Sequence, residues 1–146
     1  MHIKSKKIQI CLIAVFIIAS ISLFCMWQNN DITTTQIDYS NAKIPDELNG
    51  YTIVQISDLH NKKFGKNQER LLNNIRSISP DIIVITGDLI DRRKYDLDTA
   101  MMFINVAVKI APVYYVSGNH EAWSGDYKNI SNKLLNCGVQ ILDDNK

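Results

Sequence analysis

The feature that most constrains this chain is a rhythm: a short β-branched run closing on a small residue and a polar one, then a stretch with helical spacing, repeated along the sequence. Residues 51–57 read YTIVQIS and lead into Asp58, residues 81–86 read DIIVIT and lead into Gly87-Asp88, and residues 113–117 read VYYVS and lead into Gly118-Asn119. Runs this short and this rich in Val, Ile and Tyr predict strands. DIIVIT is almost wholly apolar, as expected of a strand buried on both faces. Leu71, Leu72, Ile75 and Ile78 recur at helical spacing over residues 67–78, and Ser79-Pro80 ends them. A second helix is predicted over 97–110, ahead of Pro112, and a third over 127–136, closed by Cys137-Gly138; residues 139–142 begin a fourth strand. Alternating strands and helices are joined by crossovers, which set neighbouring strands parallel. The fold class is therefore α/β, a βαβαβαβ run within residues 49–146.

Residues 8–27, IQICLIAVFIIASISLFCMW, stand apart from that pattern, with no charge and Gln9 as the one strongly polar side chain. Twenty residues at about 1.5 Å of rise give roughly 30 Å, the hydrocarbon thickness of a bilayer. They predict a single transmembrane helix that precedes the domain. Lys4, Lys6 and Lys7 come before it and no Lys or Arg follows until Lys43. That asymmetry assigns residues 1–7 to the cytoplasm and the rest to the far side of a membrane, a single-pass, extracytoplasmic arrangement. A cleaved signal peptide shares the basic start, but the bulk of Phe24, Met26 and Trp27 suits a cleavage site poorly. Residues 28–48 form a polar linker, in which 32–37 have the composition for one short strand.

Charge and cysteine content exclude several functions. Without Lys4, Lys6 and Lys7 the chain holds 13 basic and 15 acidic residues, with no basic run of the kind a nucleic-acid-binding surface needs. Cys11 and Cys25 lie in the apolar segment and Cys137 stands alone, so there is neither a disulfide framework nor a CxxC zinc pair.

The chemistry sits at the strand ends. Ser57-Asp58-Leu59-His60 follows the first strand, Gly87-Asp88-Leu89-Ile90-Asp91 the second, and Gly118-Asn119-His120-Glu121 the third. The C-terminal ends of parallel strands share one edge, and open α/β sheets bind ligands there. Asp58, Asp88 and Asn119 are thus expected to converge. Oxygen donors with imidazole suit divalent manganese, iron or zinc. Each cluster alone reads equally well as turn or capping chemistry; three in order on one edge do not.

ISDLH, TGDLID and SGNHE resemble the first three signature blocks of the calcineurin-like metallophosphoesterases, D-x-H, G-D-x-x-D and G-N-H-[DE], over about residues 51–144. The resemblance implies part of that family's layered sheet and a dinuclear site of two divalent ions. Asp58 and His60 would bind the first metal, Asp88 would bridge both, and Asn119 would bind the second. His120 would face the phosphate and protonate the leaving oxygen, with Asp91 supporting it. Arg92 would contact phosphate, although Arg93 stands where that arrangement has glycine, and a solvated Arg92 is the alternative. The expected function is hydrolysis of phosphomono- or phosphodiesters, lipid-linked or nucleotide-linked, at the outer face of a membrane.

The family draws further ligands from a later histidine and a G-H-x-H block, whereas this sequence holds His2, His60 and His120 alone. The second metal site is then expected to be incomplete, and one apolar face of the sheet to lack its opposing layer. A fragment, a truncated gene and a fold completed by another polypeptide are the expectations for such a sequence. The alternative function is an inactive, membrane-tethered remnant that binds metal weakly or not at all.

Overall fold

The computed structural model describes residues 2–143; Met1 and residues 144–146, the ends of the expected N-terminal segment and domain, lie outside the described residues. The chain divides into two compact units, Met1–Asp38 and Tyr39–Lys146.

The first unit is a single helix, α1 (His2–Gln28), followed by irregular chain. Its Lys6–Gln28 part has a mean hydropathy of 2.7 and none of it is buried, so by length and composition it is able to cross a membrane. Ile17, Phe16 and Leu23 are among the exposed apolar side chains of this helix. Residues 32–37 are irregular, and the short strand expected there does not form. A strand requires a neighbour to satisfy its N–H and C=O groups.

The second unit carries β1 (Ile53–Ile56), α2 (Glu69–Ile78), β2 (Ile82–Thr86), α3 (Leu97–Ala107), β3 (Val113–Val116), α4 (Asn119–Trp123), α5 (Tyr127–Asn136) and β4 (Gln140–Ile141). The strands lie in the order β1-β2-β3-β4 and every neighbouring pair is parallel. When parallel strands add in sequence order through right-handed crossovers, each crossover falls on the same face. The burial pattern agrees. Ile83, Ile85, Val113 and Tyr115, which share one face by register, are at most 1% exposed and are buried along with Leu72 and Ile75 of α2, Phe103 and Ile104 of α3, and Ile130 and Leu134 of α5. The other face carries Ile53, Gln55, Ile82, Val84, Tyr114 and Val116; these are exposed or half-buried, with Ile53 at 58%. Among the described residues no helix layer covers that face.

Helix ends follow local chemistry. Asp96 caps α3, its Oδ1 accepting from the Thr99 N–H at 3.0 Å and its Oδ2 from the Thr99 hydroxyl at 2.6 Å. α3 stops at Ala107, three residues short of the predicted end, because Lys109 and Ile110 turn back onto Val106 and Ala107. β1 is shorter than predicted at its start, where the Thr52 N–H is taken by the Asp81 carboxylate at 2.6 Å rather than by a strand.

Candidate metal centre at the sheet edge

The loops that leave β1 and β2 are zipped together by backbone. Asp58 N–H donates to Gly87 O, His60 N–H to Asp88 O, and Asn61 N–H to Leu89 O, at 3.2, 2.9 and 3.2 Å. To make these bonds Asp58, His60, Asn61 and Asp88 take φ values of 53°, 47°, 58° and 52°. The left-handed region is costly for side-chain-bearing residues, and its clustering at one place is a mark of functional sites. Leu59, Leu89 and Ile90 plunge into the core between the polar residues, at 5%, 0% and 0% exposure, and anchor both loops.

β2 and β3 end in glycines that press against each other. A Cβ on Gly118 would lie 2.2 Å from Asp88 Oδ1, and one on Gly87 would lie 2.7 Å from Gly118 Cα. Backbone therefore approaches backbone where any other residue would wedge the loops apart. The Asp88 carboxylate uses this space to accept the His120 N–H at 2.8 Å.

The clasp between the two loops is Glu121, which is wholly buried. Its Oε2 accepts from Asp88 N–H at 2.9 Å and Gly118 N–H at 2.8 Å, and its Oε1 from Ile90 N–H at 3.0 Å. One carboxylate thus satisfies three backbone donors on two loops. Sequence reasoning passed over Glu121, since a Glu three residues after glycine reads as an ordinary helix-start acid. On β3 the buried Tyr115 phenol is pushed far above its ordinary value by burial and by the charges of Glu121, Asp143 and Asp88, so it stays a neutral O–H.

These contacts bring His60, Asp88 and His120 together, with one donor atom of each within 4.8 Å of the others. The two imidazole rings have centroids 4.4 Å apart. His60 Nδ1 faces the Ile90 carbonyl at 3.4 Å, an arrangement that puts the proton on Nδ1 and leaves the Nε2 lone pair for a metal. That Nε2 lies 3.6 Å from Asp58 Oδ1, whose side chain is 63% exposed and bonded to the Ser57 hydroxyl. Neutral imidazole nitrogen beside two carboxylates fits a divalent transition cation. Asn119 is the first residue of α4 and is exposed.

His120 Nδ1 has two neighbours that compete for it. Asp91 Oδ1 lies at 3.3 Å and the Arg92 N–H at 3.2 Å. With its proton on Nε2 the ring accepts from Arg92; once Nδ1 carries a proton it donates to Asp91. The Arg93 N–H at 2.9 Å holds the Asp91 carboxyl below its ordinary value, and the neighbouring His120 lowers it further. A carboxylate is therefore available whenever the imidazole charges.

Arg92 does not wave freely in solvent. Its guanidinium lies over the indole of Trp123, 4.8 Å from the ring centroid. Trp123 itself is 62% exposed and was not singled out from the sequence, because a lone exposed aromatic breaks no period.

Residues 51–144 match the model of the calcineurin-like phosphoesterase family. A transmembrane protein with metallophosphoesterase domain from Danio rerio is 28% identical over 102 residues, which is 68% of this chain and 23% of that protein. An uncharacterized metallophosphoesterase of Campylobacter jejuni is 31% identical over 114 residues, 75% of this chain and 30% of its own. A UDP-2,3-diacylglucosamine pyrophosphatase of Chlamydia muridarum is 35% identical over 86 residues, 55% of this chain and 26% of its own. The chain thus spans less than a third of the length of these relatives. The family match runs through all three strand-end clusters, and the chain belongs to the calcineurin-like phosphoesterases.

Proposed function

We propose that this domain forms the first part of the active site of a metal-dependent phosphoester hydrolase, working on phosphomono- or phosphodiesters beside a membrane. The observation that carries it is the convergence of His60, Asp88 and His120 within 4.8 Å, with Asp91 3.3 Å from His120. Asp58 and His60 would hold the first of two divalent cations, Asp88 would be shared with the second, and Asn119 would contribute its amide oxygen there. Bound metal supplies Lewis-acid stabilisation of the phosphate and a water acidic enough to attack it near neutral pH. The chain's own part in the reaction is to orient and to move a proton. The Ile90 carbonyl fixes the tautomer of His60, the Asp88 carboxylate is held in place by the His120 N–H, and Asp91 steadies the charged form of His120 as its Nε2–H is passed to the leaving oxygen. Lys4, Lys6 and Lys7 in the first turns of α1, with no Lys or Arg after them until Lys43, favour a cytoplasmic N-terminus and an extracytoplasmic domain. The substrate phosphate is carried on a lipid or a nucleotide, as the name of the Chlamydia muridarum relative suggests.

The test is manganese binding by calorimetry together with turnover of a chromogenic phosphodiester, for the chain and two variants. Asp88→Asn is expected to weaken metal binding by well over tenfold. His120→Ala separates a ligand from an acid: metal affinity stays within a few-fold while turnover falls by roughly 10²–10⁴, the usual share of general acid catalysis. A loss of metal affinity in His120→Ala as deep as in Asp88→Asn would instead make His120 a ligand.

A further inference from the structure

Residues 39–146 carry thirteen Lys or Arg and thirteen Asp or Glu, so the domain is neutral as a whole. The cations are not spread evenly. Seven of the thirteen, Lys62, Lys63, Lys66, Arg70, Arg92, Arg93 and Lys94, fall within residues 62–70 and 92–94, against Glu69 alone among the acids.

Those two stretches are parts of one surface. They follow β1 and β2 on the edge that holds His60 and His120, and the Asn61 amide ties them by donating to the Lys94 carbonyl at 2.9 Å. Lys63 reaches across to Asp96 at 3.7 Å. Lys63, Lys66, Arg92, Arg93 and Lys94 are exposed, and aromatic rings stand among them. Trp123 stacks under Arg92 at 62% exposure, Tyr95 follows Lys94 at 42%, and Phe64 lies under the Lys62 ammonium at 5.9 Å. Basic side chains with exposed Trp and Tyr are the composition of a surface that rests in lipid headgroups, where the charge meets phosphate and the rings sit at the polar–apolar boundary.

We propose that this rim docks the mouth of the site onto an anionic bilayer, so that the phosphoesters it meets are those borne in the headgroup layer. The tethering, though not the rim's affinity for anionic lipid, rests on the reading of α1 as a membrane anchor. Residues 29–52, which lie between α1 and β1, have a contour of at most roughly 80 Å, so the tether holds the rim at a high effective concentration near the surface. Docking is then an intramolecular equilibrium that electrostatics sets.

The chain has two tryptophans, Trp27 and Trp123, which makes a direct test practicable. The full chain with Trp27→Phe is reconstituted in phosphatidylcholine bilayers, with or without phosphatidylglycerol, each carrying a headgroup spin-label quencher. Docking predicts Trp123 quenching in the anionic bilayers that greatly exceeds that in neutral ones and disappears at high salt. Reversing Lys63, Lys66 and Lys94 to Glu should cut the docked-to-undocked ratio by more than about a hundredfold, since losing each charge near an anionic surface is worth about fivefold and the new acids repel it besides. Equal quenching in neutral and anionic bilayers, no quenching in either, or quenching that the triple reversal leaves intact would each overturn the proposal. Alkaline extraction reads the anchor separately: a chain that is extracted, yet still shows salt-sensitive quenching with anionic vesicles, refutes the anchor and upholds the rim.

Discussion

Replacing Glu121 by Gln removes one formal charge and almost no volume, yet the structure assigns it a large effect. The buried carboxylate accepts from Asp88 and Gly118 through Oε2 and from Ile90 through Oε1. A glutamine has one oxygen. Placed at the Oε2 position it keeps two bonds and turns its NH2 on the Ile90 N–H; placed at Oε1 it keeps one and opposes two donors. The better orientation forfeits a charge-assisted hydrogen bond, about 1.5–3 kcal/mol, and leaves a buried donor unpaired, about 1–3 kcal/mol more. A loss of roughly 2.5–6 kcal/mol follows from those two contributions, out of the 5–15 kcal/mol that a domain has in total. For a domain near a hundred residues, at about 4 °C per kcal/mol, this lowers Tm by about 10–24 °C. Thermal unfolding followed by circular dichroism, with the variant and parent both metal-free, measures it. Manganese affinity at a temperature where both are folded should also fall, because the same bonds set the backbone of Asp88. Glu121→Asp, a methylene shorter, reaches one loop and not both, and belongs between parent and Gln. A Tm change of less than about 3 °C in Glu121→Gln would mean that the three N–H groups find water as readily as carboxylate, and the clasp would be refuted.

Two further expectations rest on local geometry. Gly118→Ala puts a methyl 2.2 Å from Asp88 Oδ1 and 2.5 Å from the Asp88 backbone nitrogen, so the Asp88 loop itself has to shift; metal affinity should fall by more than tenfold with the helices retained, as calorimetry and circular dichroism would show. Asp96 caps α3 through Thr99, and the Thr99 hydroxyl and N–H hold its carboxyl below the usual carboxylate range. A depressed folded value means that this stabilisation is present above the unfolded value and is lost as pH falls through the folded one. Asp96→Ala should therefore cost about 1 kcal/mol at neutral pH, and urea midpoints of parent and variant should converge in acid.

Much of the fold is legible in the residues because local signals and tertiary packing agree. The helix predicted over 127–136 forms as Tyr127–Asn136, where Ile130 and Leu134 mark its buried side and Gly138 its end. The strand-end clusters converge as their order along a parallel sheet requires. What the sequence conceals is non-local. Residues 32–37 have strand composition but form no strand, so composition alone misleads there. Glu121 looks like a helix-start residue, and two of its three bonds reach 31 and 33 residues back along the chain, to a loop that periodicity cannot relate to it. α4 itself, five residues long, is too short to leave a repeat. Trp123 acquires meaning only through Arg92, 31 positions earlier.

The strand order β1-β2-β3-β4 also fixes a timetable for a chain emerging from the ribosome. Each new strand docks beside its immediate predecessor, so the sheet can grow by accretion without waiting for a distant segment, the local wiring that goes with rapid folding. Asp58, His60 and Asp88 are synthesised early, but the loop bearing Asp88 has no clasp until Glu121 has left the exit tunnel. A nascent chain halted before that residue would carry most of the ionic donors and hold them loosely, which ties the birth of a metal-ready site to the arrival of a single buried acid.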